Sequence, residues 1–367
     1  MHPIKKLLIL VIIVASFVII YKLFKENETI KKEIQKKINN KIIEKEGFET
    51  NVQKEMNELR SSSEKKGLEL TVKPIPDKYM DFPLREFMIK SSYNSAIINK
   101  TASKEAIEFV LTRGCRVLDF EIYTRKMDNG KDIEYISYSD DPEYRTIKTG
   151  LTLTFEDALK TVATNAFSPP SPCPTDPLFI QFRIKNHSNQ AYSRISKLVD
   201  SILGKRLYGS TNGSTPIKNL IDKTIIILDA LSAPNYYKLS ECPSDDISCT
   251  PLISKIGMIS GTVDLPKYSY GDYFDLTQTP IMVDPKTDKT DVRTFMMVTP
   301  DDVGGDIISF PNDNAQSRLP IQMLLVPFYR QNDDLKKYED KFNECQSSFC
   351  AMGRFYRDSY KKNSESK

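Results

Sequence analysis

Three short stretches bring chemistry-bearing side chains to places where strands should end: KSSYN over 90–94, DFEIY over 119–123 and FRIKN over 182–186. In DFEIY, Asp119 and Glu121 stand two residues apart, so a strand puts both on one face. FRIKN offers two cations, Arg183 and Lys185, as candidate substrate-binding residues. Imidazole is what the chain lacks. His2 and His187 are its only histidines, and His2 precedes an apolar run. Acid–base chemistry that needs two imidazoles in one pocket has almost nothing to draw on. His187 reads as a strand-end or loop histidine satisfied by local hydrogen bonds.

These stretches need elements to position them. EAIEFVLTRG has helical spacing and ends at Gly114, a good helix-stop residue. CRVLDFEIY then alternates as a strand. LTFEDALKTVATNAF begins with a Thr cap and runs as a helix. PLFIQFRIK reads as a strand, AYSRISKLVDSILG as a helix ending at Gly204, and KTIIILDA as a buried strand. FMMVTPDD and IQMLLVPFY read as two further strands. This alternation predicts βα units on a mostly parallel sheet. With six or more units and no glycine-rich dinucleotide fingerprint, a (β/α) barrel fits, and its chemistry sits at the C-terminal ends of the strands. The stretch from 234 to 266 lacks periodicity and reads as a linker.

Composition bounds the rest. Hydrophobic residues make up 40% and charged residues 28% of the 367, enough for a sizeable core. A net charge of +3 and a pI near 8.3 give no argument for nucleic acid. Leu7 to Tyr21 carry no charge, and with Leu23 and Phe24 the apolar run reaches about 18 residues. It predicts an uncleaved membrane anchor over 1–24, since no small-residue cleavage site follows. Residues 25–71 turn to Lys, Glu, Asn and Gln with isoleucines at helical spacing, a solvated stalk. A folded domain over 72–355 and a polar tail over 356–367 complete the chain. The lysines that follow the anchor put the domain on the cytoplasmic side. The close pairs Cys242/Cys249 and Cys345/Cys350 point to disulfide loops in an oxidising space. The side of the membrane stays open on sequence alone. Asn27, Asn99 and Asn212 head N-x-S/T acceptor sites that matter only in a lumen.

PLREFMIKSSYNSAI, GCRVLDFEIY, LTFEDALKTV and PLFIQFRIKNHSN, in that order, resemble the X region of phosphatidylinositol-specific phospholipase C, and LPIQMLLVPFY resembles that family's last barrel strand. The resemblance implies an irregular TIM barrel, with an X-like part over about 83–230 and a second half over about 255–335. It also implies a phosphodiesterase site with two histidines and a Ca²⁺ ion. Carried over residue by residue, the two histidine positions fall on Tyr93 and on Tyr138 or its neighbour Ser139. A phenol, with a pKa near 10, is a poor base at neutral pH. The metal ligands fall on Asn94, Asp119 and Glu121, and the fourth ligand position falls on Lys185. An ammonium there replaces a carboxylate and would pair with Asp119 or Glu121 as an internal cation.

The sequence therefore predicts a membrane-anchored phospholipase C-like barrel that is catalytically inactive. No cofactor is expected, and Ca²⁺ would be the cofactor only if the ancestral site survived. Expected partners are the lipid bilayer and either phosphoinositide headgroups or a protein. An active phosphoric diester hydrolase with an altered site is the alternative, because Asn94, Asp119 and Glu121 persist.

Overall fold

The structure, a computed structural model, describes residues 70–354 apart from 99–100, 140–146, 148, 150–151, 234, 244–245, 277–281, 285, 302–320 and 329–332, together with Lys54, Asn57, Glu58 and Ser61. The chain divides into two units, Met1–Lys54 and Glu55–Lys367. The expected anchor, nearly all of the stalk and the polar tail lie outside the described residues. No helix among the described residues is long and apolar enough to cross a membrane.

Eight parallel strands form a nearly closed barrel. They are β1 (Ser91–Ser92), β2 (Val117–Lys126), β3 (Leu178–Ile184), β4 (Thr224–Asp229), β5 (Ile256–Ser260), β6 (Lys267–Ser269), β7 (Met297–Thr299) and β8 (Met323–Val326). Each pairs with its neighbour in chain order, and β8 pairs with β1, leaving one seam between β5 and β6. An antiparallel strand, Asp132–Ile136, extends β2. Every residue of β3 and β4 is buried, as expected of strands covered on both faces.

The helices begin where the sequence supplies caps. Helix α1 (Lys104–Thr112) is capped by Ser103, whose hydroxyl accepts from the Ala106 amide at 3.2 Å. It stops at Gly114, where φ is +80° and the chain turns into β2. A Cβ there would meet Ser348 Oγ and Val72 Cγ2 at 2.9 Å, so both conformation and space require glycine. Thr154 caps α2 (Phe155–Asn165) and Ser188 caps α3 (Asn189–Leu203). A fourth long helix, α4 (Asp333–Cys345), follows the last barrel strand. The core joins Phe87, Val117, Phe179, Ile225, Met297 and Leu325, one from the segment before β1 and the rest from five barrel strands.

The stretch 234–266, which lacks periodicity in sequence, contains β5, within the second half expected from about 255, each of its residues buried except the partly exposed Ile259. Five residues are too few for alternation to stand out from the irregular loop before them.

Candidate functional site

The site grows from the register of β2 against β3. Their parallel pairing sets Asp119 beside Gln181 and Glu121 beside Arg183. The turn after β1 completes it. Asn94 takes a left-handed φ of 45°, a conformation Asn tolerates better than most residues, and its amide donates to Asp119 Oδ2 at 3.0 Å. Asp119 and Glu121 are fully buried, Arg183 is 5% exposed and Asn94 3%.

One guanidinium satisfies this whole set. Arg183 Nε donates to Asp119 Oδ1 at 2.9 Å and Nη2 to Asp119 Oδ2 at 2.8 Å, a bidentate pair. Nη1 donates to Glu121 Oε2, and Nη2 also reaches Asn94 Oδ1. Glu121 Oε1 accepts from the Tyr123 hydroxyl. The Tyr93 ring covers the guanidinium, with its centroid 4.9 Å from Cζ. Burial opposes a charge on Arg183, yet Asp119, Tyr93 and Glu121 hold its pKa well above the usual range. It is a permanent cation.

The sequence assigned the internal-cation role to Lys185, and the structure corrects this. Lys185 stands two residues further on, at the mouth of the barrel, and donates to Ser232 Oγ at 3.2 Å. The hydrogen bonds of Asp119 and Glu121 go to Arg183 because its planar fork meets both carboxylates and the Asn94 amide together. Burial and the neighbouring Arg183 push the Lys185 ammonium down to about 8.

A second ion pair, not anticipated from sequence, joins the end of β4 to the start of β6. Lys267 of β6 reaches Asp229 Oδ2 at 3.0 Å, and Asp229 also accepts from the hydroxyls of Ser232 and Ser260. Burial would raise the Asp229 pKa, but Lys267 and the Ser232 hydrogen bond hold it below the usual carboxylate range. These strand ends thus carry three cations, Arg183, Lys185 and Lys267, against three anions, Asp119, Glu121 and Asp229. Tyr138 is buried just beyond the antiparallel strand, beside Ser137, whose amide donates to the Glu121 carbonyl at 3.1 Å. His187 is exposed in the loop before α3.

These residues do not fit Ca²⁺. A calcium ion takes six to eight oxygen ligands. The side-chain oxygens of Asn94, Asp119 and Glu121 are already occupied by N–H and O–H donors, and a guanidinium sits among them. Among the described residues no group of three or more His, Cys, Asp or Glu is placed to hold a metal.

Comparison with known proteins agrees with the fold. Residues 80–227 match the family model of the phosphatidylinositol-specific phospholipase C X domain. PLC21 of L. pealei is similar over 75% of this chain and 38% of its own, with a TM-score of 0.52 and 15% identity. PLC21 of S. officinalis matches over the same shares, with a TM-score of 0.51 and 15% identity. A calcium-dependent phosphoinositol-specific phospholipase C from Pseudomonas sp. aligns over 70% of this chain and 95% of its own at 11% identity, but its TM-score of 0.44 carries no argument. The chain spans 38% of the length of the two PLC21 chains. No curated protein matches it in sequence. Motif order, the barrel and the X-domain match over residues 80–227 agree on a phospholipase C-like fold for this chain.

Proposed function

We propose that this phospholipase C-like domain is a non-catalytic binding or structural module, held at a membrane by its N-terminal apolar segment. The observation that carries the reading is the Arg183 guanidinium bonded to Asn94, Asp119 and Glu121. A fixed cation where a metal would be needed, and tyrosines where imidazoles would be needed, remove the metal and both imidazoles on which the resembled family's acid–base chemistry rests. The bilayer, and either phosphoinositide headgroups or a protein, remain the partners in this reading. An active hydrolase of altered mechanism is the rival. Its support was the persistence of Asn94, Asp119 and Glu121, and Arg183 accounts for that persistence as a satisfied buried ion cluster.

The test is release of water-soluble inositol phosphate from phosphoinositide vesicles by the full-length protein, with and without Ca²⁺. The expected result is no release above the protein-free blank in either condition. Release that disappears in Tyr93→Phe or Asp119→Ala would overturn the reading.

A further inference from the structure

The six cysteines fall into two bonded pairs and two buried thiols, a division that bears on where the barrel folds. Cys242 and Cys249 are disulfide-bonded in the loop before β5, with Cα atoms 5.7 Å apart. Cys345 and Cys350 join the end of α4 to the strand Phe349–Ala351, with Cα atoms 5.6 Å apart. The two thiols that remain, Cys115 and Cys173, are fully buried. Every cysteine is therefore either paired or shut away from oxidant. Such a division suits a protein that matures in an oxidising compartment.

On that side an exposed acceptor site would become usable. Asn212-Gly213-Ser214 forms an N-x-S acceptor, and Asn212 is exposed. It lies in an ordered turn, with the Ser214 amide donating to Asn212 Oδ1 at 2.9 Å and the Asn212 amide to Thr215 Oγ1 at 3.3 Å. Backbone bonds fix where the turn sits. The Thr211 amide donates to the carbonyl of Gly257 at the start of β5, and the Tyr208 amide to that of Thr224 at the start of β4, both at 2.9 Å. The turn is thus at the N-terminal mouth of the barrel, opposite the strand ends that carry Arg183. The middle residue must be small: a Cβ on Gly213 would meet Phe295 Cβ at 2.7 Å.

We propose that the barrel folds on the oxidising, non-cytoplasmic side of its membrane and that Asn212 carries an N-linked oligosaccharide. The disulfides outweigh the lysines that follow the apolar segment, because orientation by flanking charge is a bias whereas paired cysteines require an oxidising space.

The full-length chain, with its own N-terminal segment, is expressed in cultured eukaryotic cells and its membrane fraction is treated with a peptide N-glycosidase. The enzyme-sensitive mobility should fall by one glycan step in Asn212→Gln and in Ser214→Ala, and should be retained in Ser214→Thr. Asn27→Gln, Asn99→Gln and Asn186→Gln backgrounds separate the other acceptors, the last in Asn186-His187-Ser188. Alkylation after denaturation without reductant should label Cys115 and Cys173 alone. A mobility that no Asn212 or Ser214 variant changes, or Cys242 and Cys249 recovered as thiols, would overturn the proposal.

Discussion

Arg183 and Lys185 stand two positions apart near the end of one strand, and burial opposes the charge of both, yet their partners move them in opposite directions. Arg183 has two carboxylates and an amide oxygen within its fork, so its charge is fixed. Lys185 has a hydroxyl at 3.2 Å and a guanidinium neighbour, and its pKa falls from 10.5 to about 8. The folded protein thus releases this proton more readily than the unfolded chain does. Between pH 8 and 10.5 the unfolded state binds more protons, so stability rises with pH across that window. Lys185→Met should flatten the rise and stabilise the protein at pH 7 by at most about 3 kcal/mol. Urea unfolding at a series of pH values would check this. A slope that persists unchanged in the variant would mean that Lys185 is not its source.

At the scale of elements, α4 is joined to the barrel by a buried ion cluster. Glu339 accepts from Lys90 Nζ at 3.0 Å and from Arg113 Nη2 at 2.8 Å, linking α4 to the residue before β1 and to the end of α1. The Tyr338 hydroxyl accepts from the Ser91 amide at 2.7 Å. Lys90 is fully buried, so Glu339→Gln would leave its ammonium without a carboxylate, at a cost of about 3–5 kcal/mol. Chemical denaturation should show that loss, whereas the exposed i,i+4 pair of Lys160 and Glu156 should contribute about 0.5 kcal/mol or less. These elements were unequally legible in the sequence. The long, capped helices and β2, β3 and β4 were readable because periodicity and caps agree over seven or more residues, or because the run is wholly apolar. Strands β1 and β6, two and three residues long, carry too little pattern to read. At the site, Asp119 and Glu121 were legible as a shared face. The choice of Lys185 over Arg183 followed a family position, when the reach of a guanidinium from one step earlier on the strand decides the pairing. Lys267 could not be matched to Asp229, because only closure of the barrel brings β6 near β4.

For the whole molecule, the barrel has a phospholipase C-like fold, and the account rests on one substitution of kind: a tethered guanidinium in place of a bound ion. The carboxylates it pairs with are buried, so removing the arginine should leave them open to another cation. The most direct test is the melting temperature of wild-type protein and of Arg183→Met, each with and without Ca²⁺. The account predicts that wild type is insensitive to Ca²⁺. It predicts that Arg183→Met melts lower, by an amount corresponding to about 3–5 kcal/mol for two buried carboxylates left unpaired. Added Ca²⁺ should then restore part of the loss, since a ligand that binds only the folded state stabilises it. A wild-type protein stabilised by Ca²⁺, or an Arg183→Met variant that melts with the wild type, would contradict it.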